Sequence, residues 1–485
     1  MRGEAPISFA NSARPGFATP SPSPSPPASP VPAKPPDLPF LDTSTRARTA
    51  PQLSKGSTSS RRCKLLLLGT GGSAAVPDIA CVTDPQKGCK CCLDTVGNPR
   101  SKNIRGNTGA VVRLPGLREG DEDKTILIDC GKTFREQALK FFPKNGLRKI
   151  DACVLTHHHA DAIDGLDDLR AWTYKSAIES TIPVYCTRRT YYEIRASFGY
   201  MVSKAAASGS GALPSFEWHV MPDDQDWEIC GVTFTPVPVH HGQWFTTPPR
   251  PLIALGFLID SSVLYISDVS YIPEEQWTRL SSYLSLPTQN GLFPSSPRQL
   301  PRLQALIIDS GAALRLGPSH FALPQAIATS RRLGALRTYL TDLGHRTTHD
   351  LWCAFGREFG RGRTSRKSWH ARANGAQATP AWRVRDEREQ QPPAEEVYAG
   401  LEARARVEDR ELWIERALEA VEQWAGGVLP GRWVRPAVDG MVIEWESPPE
   451  EGLDEVETLR GESGRGGERG GWGETRVWDD EYAYE

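Results

Sequence analysis

The chain has 485 residues, of which 39% are hydrophobic and 24% charged, and its formal net charge is -2. This balance argues against a general basic field that would bind nucleic acid or an anionic membrane, and no apolar run reaches the roughly 18 residues that a membrane-spanning helix needs. The 10 cysteines do not suggest a disulfide framework in so long a chain. In a reducing compartment they indicate buried thiols or metal ligands.

Residues 1–60 are rich in proline, serine, alanine and threonine, and include the run SPSPSPPASP. Such a segment buries too little apolar surface to offset its ordering entropy, which predicts a disordered N-terminal region. Its arginines and scarce acids leave a mitochondrial presequence as the alternative, although the prolines argue against an amphipathic helix. Because the start has no apolar signal core, we expect a cytoplasmic protein rather than a secreted one.

Residues 61–447 alternate between strand and helix patterns. The apolar run KLLLLG predicts a buried strand that ends in the glycine turn GTGGS, and further strands are expected around Ile126, Val154, Val184, Phe234, Tyr265 and Ile307. Helices are predicted over Phe134–Phe142, Gly165–Thr173, Arg189–Met201 and Pro324–Leu333. This alternation predicts an α/β domain with layered packing, and several of its strands end directly in aspartate or histidine.

The C-terminal third departs from this pattern twice. Residues 357–395 are basic and polar, which predicts a low-complexity insertion, with weak contact to RNA as the alternative. A helix from Glu395 to Trp424 and a final strand, DGMVIEWE, are expected next. Residues 448–485 are acidic and glycine-rich, which predicts a disordered tail.

The motif THHHADAIDGLDDLR carries the strongest functional signal. His157 and His159 lie two residues apart just past a predicted strand, so in an extended loop both imidazoles point to one side and can bind one ion. Asp161 follows two residues later and can hold a second ion beside the first. His158 points away and is interpreted as a bystander. A polar loop with histidines by chance is the alternative.

Further metal ligands are expected after three later strands. Candidates are the pair His240 and His241, then Asp268, whose two oxygens can bridge two ions, and finally His345, which could cap the second ion. A lone aspartate at a strand end is often only a helix cap. Taken in this order, however, the residues form a set that fits a metal hydrolase.

The order of these residues resembles the metallo-β-lactamase superfamily, and within it the phosphodiesterases that hydrolyse phosphoribosyl cyclic phosphate. The resemblance runs from about Lys64 to Trp445 and includes GTGGS, ILIDCG, HHHADAIDGLDDLR, TPVPVHHG, YISD, IIDSG, LGH and DGMVI. It implies an αββα sandwich, with His157, His159 and His241 binding the first ion, Asp268 bridging, and Asp161 and His345 binding the second. Asp129 would orient the histidine loop by contacting it, without binding an ion itself.

One position departs from the family pattern. The family motif HxHxDH ends in histidine, whereas this chain has Ala162 there. The second ion therefore loses an imidazole, so it could bind weakly, recruit a donor such as His349, or be absent from a site that works with one metal. Imidazole-rich ligands suit Zn²⁺, with Mn²⁺ as the alternative because carboxylates are present.

The segment KGCKCCLD places three cysteines within four residues, and a CxxC spacing suits a tetrahedral zinc. The family has a comparable early cysteine cluster that holds a structural zinc, which implies Cys89, Cys91, Cys92 and His349 as ligands here. Cys81 is a substitute ligand. Unbound buried thiols are the alternative.

The resemblance implies a metal-dependent hydrolase that cleaves a small, cyclic phosphodiester by attack of a metal-activated hydroxide. Asp161, Asp268 and His320 are the residues expected to take part in catalysis, and His320 would protonate the leaving oxygen. Helix capping or surface exposure is the alternative role for His320. The rival functions are a tRNA-processing nuclease or thioester hydrolase of the same fold, and a degenerate binding protein that holds metal without catalysis. The sequence does not indicate the oligomeric state.

Overall fold

A computed structural model describes residues 61–84, 88–116, 120–208, 213–287, 301–314, 317–366, 410–425 and 433–447. All of them belong to one unit that spans Thr58–Glu485. The tails predicted to be disordered, residues 1–60 and 448–485, lie outside the described residues, as does most of the insertion predicted at 357–395. No helix in the described ranges is long and apolar enough to cross a membrane.

The first sheet has seven strands. They are β1 (Arg61–Gly69), β2 (Gly109–Leu114), β3 (Lys124–Ile128), β4 (Ala152–Val154), β5 (Ile182–Thr187), β6 (Phe216–Met221) and β14 (Val442–Ser447). Their order across the sheet is β14-β1-β2-β3-β4-β5-β6, with parallel pairing from β3 to β6. The last strand of the domain thus closes the edge of the sheet beside β1.

The second sheet also has seven strands, in the order β13-β12-β11-β10-β9-β8-β7. They are β7 (Trp227–Ile229), β8 (Val232–Trp244), β9 (Arg250–Ile259), β10 (Val263–Ile266), β11 (Ala305–Asp309), β12 (Arg337–Thr341) and β13 (Trp433–Pro436). Strands β10 to β13 are parallel, so their carboxyl ends meet at one edge. Asp268, Asp309 and Asp342 stand at or just past the ends of three of them.

Most of the described helices pack on the outer faces of the two sheets, whereas two short ones, around Cys81 and Cys92, form a small separate cluster. The helices are α1 (Ile79–Val82), α2 (Lys90–Gly97), α3 (Phe134–Phe141), α4 (Ala160–Ile163), α5 (Arg170–Thr173), α6 (Arg188–Ser197), α7 (Gly199–Val202), α8 (Glu274–Tyr283), α9 (Leu323–Leu333), α10 (His349–Gly360) and α11 (Arg410–Ala425). Short 3₁₀ turns occupy Pro143–Asn145, Leu166–Leu169, Tyr174–Ser176 and Lys204–Ala206.

The run of leucines in β1 shows why both faces of a strand are apolar here. Leu65 and Leu67 point inward and pack between the sheets with residues such as Phe257, while Leu66 and Leu68 pack on the opposite face against the helical layer. A strand covered on both faces needs a continuous apolar run rather than alternation. The α/β class and the αββα layering predicted from the sequence are confirmed.

Several element boundaries differ from the prediction. The helix expected over Arg189–Met201 is split into α6 and α7 at Phe198, and the one expected over Gly165–Thr173 is a 3₁₀ turn followed by α5. Helix α10 continues to Gly360, into the start of the predicted insertion. Beyond it, Arg363 lies 2.9 Å from Glu411 of α11, which ties this short stretch to the last helix.

Candidate metal centre

Three histidines predicted as ligands of a first ion come together in the structure. One ring nitrogen of each of His157, His159 and His241 lies within 4.8 Å of the others, and His241 Nε2 is 3.1 Å from His159 Nδ1. Burial lowers the pKa of His157 well below its usual value and that of His159 to about 4. These two imidazoles are therefore neutral at physiological pH, which is the form that binds metal.

A bulge in β8 selects which histidine of the His240–His241 pair enters the site. The register between β8 and β9 shifts between His240 and Gln243, and Gly242 in this stretch has a φ of 71°, which favours glycine. His241 joins the triad, and its Nδ1 lies 2.8 Å from the Ser319 carbonyl oxygen. The ring of His240 instead lies 5.2 Å from that of Tyr271. The choice of His241 as the candidate ligand agrees with this geometry.

Asp129 acts on the histidine loop through Thr156. Thr156 donates its backbone N–H to Asp129 Oδ1 and its hydroxyl to Oδ2, both at 2.8 Å, and the Thr156 hydroxyl is also 2.9 Å from His157 Nδ1. Asp129 is buried, has a φ of 59°, and stands just past β3, beside the parallel strand that leads into the loop. It is thus placed to orient His157 without contacting an ion itself.

We expect Asp129→Asn to weaken zinc binding at the histidine site by about 10-fold, within the roughly 10–100-fold range for residues behind metal ligands. The amide tolerates the left-handed backbone but offers one acceptor where Thr156 needs two. Zinc titration calorimetry measures the effect. An unchanged dissociation constant in a folded variant would show that Asp129 does not position the loop.

Unpartnered buried atoms mark where an ion fits. Among the described residues, His157 Nε2, Asp161 Oδ1, both carboxylate oxygens of Asp268, and Asp342 Oδ1 are buried without a hydrogen-bond partner. Each such atom costs about 1–3 kcal/mol unless something satisfies it. Asp268 Oδ1 lies 3.8 Å from His241 Nε2. Nitrogen and carboxylate donors fit a divalent cation such as Zn²⁺, and the two oxygens of Asp268 can serve one ion or bridge two.

The prediction that His345 caps a second ion is wrong. Strand β12 ends at Thr341, and the chain turns at once through Asp342, whose φ is 58°. Asp342 therefore stands at the strand-end position beside the site, whereas His345 is carried past it to the cysteine cluster. The prediction placed His345 after the strand in YLTDLG, and the sequence pattern did not show that the chain turns at Asp342, three residues before His345.

The second-ion region has no imidazole at position 162. Ala162 is buried, packs in the core beneath the helices, and accepts a hydrogen bond on its carbonyl oxygen from the Cys130 N–H. Asp161 remains nearby, and burial and the charge of Asp268 raise its pKa to about 6. Asp161 is close enough to Asp268 for their charges to interact, but it belongs to none of the candidate metal groups among the described residues.

His320 joins the site and is held by two aspartates that the sequence analysis did not assign to it. Its Nδ1 lies 3.0 Å from Asp309 Oδ2 and 2.9 Å from Asp342 Oδ2, and a ring nitrogen lies within 4.8 Å of donor atoms of His241 and Asp268. Although burial lowers it, the pKa of His320 is raised overall by these two carboxylates. The signal for both was their place after the strands in IIDSG and YLTD.

A second cluster combines three thiols with an imidazole. The Sγ atoms of Cys81, Cys89 and Cys92 and a ring nitrogen of His345 lie within 4.8 Å of one another. His345 Nδ1 is 3.6 Å from Cys89 Sγ and 3.4 Å from Cys92 Sγ. Three cysteines and one histidine form a donor set typical of a closed, tetrahedral structural zinc site.

Two predicted members of this cluster are wrong. Cys89 is the N-cap of α2 and Cys92 follows three residues later, so both face the same side, whereas the buried Cys91 is not part of the group of four donor residues. Cys81, the substitute ligand, takes its place. His349 begins α10, where its Nε2 lies 3.2 Å from Cys353 Sγ one turn along the helix.

Arg105, which the sequence analysis missed, braces the loop between β12 and α10. This buried guanidinium donates hydrogen bonds to the carbonyl oxygens of Leu343 (3.3 Å), Gly344 (2.5 Å) and Thr347 (3.1 Å). The loop carries His345 and starts at Asp342, so one buried arginine supports both metal-binding regions. An isolated arginine before a strand gives no sequence signal for this role.

The comparisons with known proteins agree with this architecture. Residues 124–342 match the family described as "Beta-lactamase superfamily domain". The matched segment, less than half of the chain, starts at β3, contains the histidine loop and ends at Asp342. The resemblance to the metallo-β-lactamase superfamily predicted from the sequence is confirmed over these residues.

The individual proteins that resemble this chain share less than 30% sequence identity with it. The "Octanoyltransferase" of Porphyromonas gingivalis (strain ATCC BAA-308 / W83) is 28% identical over 284 residues, which cover 59% of this chain and 46% of that protein. The chain thus spans less than half the length of this curated relative. A diphosphatase from the PhnP family is 23% identical with a TM-score of 0.47, covering 80% of this chain and 99% of that chain. The metallo-β-lactamase fold protein YhfI from Bacillus subtilis is 14% identical with a TM-score of 0.42, covering 79% of this chain and 100% of that chain.

Proposed function

We propose that the chain is a metal-dependent phosphodiesterase that hydrolyses a small phosphodiester. The observation that carries this proposal is the convergence of His157, His159 and His241 on one point, beside the unpartnered oxygens of Asp268 and the ring of His320. Zn²⁺ is the proposed ion because three imidazoles favour it, with Mn²⁺ as the alternative. Among small phosphodiesters we propose a cyclic one, and this choice rests only on the family resemblance seen in the sequence.

Each group of the chain has a definite task in this reaction. The three imidazoles and Asp268 would hold the ion. When bound, the ion would lower the pKa of a coordinated water molecule and neutralise charge on the phosphoryl oxygens. Asp309 and Asp342 engage Nδ1 of His320 at 3.0 and 2.9 Å, so Nε2 is the nitrogen left to face the substrate. The two carboxylates favour a protonated ring, and His320 can therefore donate a proton to the leaving oxygen.

Hydrolysis of bis-p-nitrophenyl phosphate and of a panel of cyclic and linear phosphodiesters tests the proposal. We expect turnover that is lost on chelation and restored by Zn²⁺ or Mn²⁺. A thioester and a precursor tRNA in the same panel test the rival hydrolases. Bound metal without turnover of any ester would contradict the proposal and indicate a protein that holds metal for binding alone.

We expect His320→Gln to lower kcat on a diester with a poor leaving group by about 100-fold or more, since general acids contribute roughly 10²–10⁴-fold. The decrease in kcat on bis-p-nitrophenyl phosphate should be much smaller, because p-nitrophenolate leaves without protonation. Steady-state kinetics on the two substrates measure the contrast. Equal losses on both would mean that His320 positions the site rather than donating a proton.

A further inference from the structure

A cavity of about 660 Å³ lies next to the histidine loop, and none of the candidate metal ligands lines it. His158, which lies outside the histidine triad, forms part of its wall and has its ring 5.4 Å from that of His159. The histidine loop, the start of α6 and the end of β8 meet around this space. Its size lies within the roughly 300–1,000 Å³ typical of small-molecule sites, and the reaction proposed above gives its side chains no task.

One wall of the cavity is a stack of flat groups. The imidazole of His158 lies 5.3 Å from the indole of Trp244, and the two planes differ by 12°. The guanidinium of Arg189 lies 4.5 Å from the centre of the same indole. Imidazole, indole and guanidinium all offer planar faces on which an aromatic ring can stack.

The rest of the lining combines exposed apolar side chains with positive charge. Val220 and Ile253 line the cavity and remain 42% and 41% exposed. Exposed apolar surface in a concave site indicates a ligand with an apolar part. Arg188, Arg189 and Arg250 line the same space with Asp223, and Glu193 pairs with Arg189. The remaining excess of positive charge favours an anion.

We propose that this cavity binds the nucleoside part of the substrate, so that the phosphodiester reaching the metal centre is that of a nucleotide. This inference rests on the phosphodiesterase function proposed above and narrows its substrate class. The base would stack at the wall formed by His158, Trp244 and Arg189, with the arginines neutralising phosphate charge. A sugar phosphate without a base would leave the flat wall and the apolar lining unused.

Binding of adenosine 5′-monophosphate and of ribose 5-phosphate to the metal-loaded protein tests this site, measured by calorimetry. The two probes share a ribose and a phosphate and differ in the base. We expect wild type to bind adenosine 5′-monophosphate at least about 10-fold more tightly. Trp244→Ala should lower that affinity about 10-fold or more, consistent with the usual contribution of one stacked base, and leave ribose 5-phosphate binding unchanged.

Two further variants control for a general loss of structure. Trp244→Phe keeps a flat ring and should retain most of the preference for the adenosine probe. Phe245→Ala alters the neighbouring side chain, which is 98% exposed and does not line the cavity, and should leave both affinities unchanged. Equal wild-type affinity for the two probes would overturn the nucleoside site, as would a preference that survives Trp244→Ala.

The outcome separates this inference from the proposed function. Metal-dependent hydrolysis of bis-p-nitrophenyl phosphate together with equal binding of the two probes would overturn the nucleoside site and leave the phosphodiesterase standing. A preference for the adenosine probe that depends on Trp244, without hydrolysis of any ester, would support the binding site and contradict the phosphodiesterase.

Discussion

His159→Ala is expected to lose about one bound Zn²⁺ per chain and to lower phosphodiester hydrolysis by more than about 100-fold. The first ion would have three imidazole ligands, and their nitrogens lie within 4.8 Å of one another. Without His159 only His157, His241 and Asp268 remain as donors, and the coordination position that His159 filled is left to water, so the ion is held more weakly. Mutation of residues that only contact the metal ligands already lowers metal affinity or activity by about 10–100-fold, so removal of a ligand itself should have a larger effect. Elemental analysis and initial rates on bis-p-nitrophenyl phosphate measure both effects.

The matched control is His219→Ala. His219 lies on β6, where its ring stacks on Tyr185 at 4.4 Å, and it belongs to none of the candidate metal groups in the described residues. This change should leave metal content and rate as in wild type. If His159→Ala keeps its full metal content and its rate, the histidine triad is not the metal centre.

The histidine site could be predicted largely because its spacing is local. His157 and His159 are separated by one residue in an extended loop, so their common direction follows from backbone geometry alone. His241 and Asp268 come from other strands, and only their order along the chain linked them to the loop. The fold was similarly accessible, since runs such as KLLLLG show strands that are covered on both faces.

The remaining site residues could not be assigned because they depend on where a strand ends and how the chain turns. In YLTDLGH, both Asp342 and His345 follow a strand, and the positive φ of Asp342 decides which one faces the histidines. Asp309 and Asp342 act on His320 through contacts between β11, β12 and the loop before α9. Contacts of this kind leave no spacing pattern in the sequence.

The cysteine cluster yields the second large expected effect. We expect Cys92→Ser to abolish structural zinc binding and to lower the free energy of unfolding by about 4 kcal/mol or more, the range associated with loss of a metal. The reason is geometric: Cys92 and Cys89 bring α2 to His345, so one ion would fasten α2 to the loop that follows β12. Zinc content and chemical denaturation measure the change.

Cys91→Ser is the matched control, because Cys91 is adjacent to Cys92 and equally buried but does not belong to the group of four donor residues. It should keep its zinc and lose only the stability expected from a hydroxyl placed in an apolar contact.

A second pair separates the two histidines: His345→Ala should lose the structural zinc, whereas His349→Ala should retain it. Zinc loss from Cys91→Ser would contradict the ligand set in the structure, and the reverse result in the histidine pair would restore His349 as the ligand predicted from the sequence. Because Arg105 holds the same loop through three carbonyl oxygens, zinc loss should also disturb Asp342 and, through it, His320. Removal of a zinc remote from the reaction is thus expected to lower activity as well as stability.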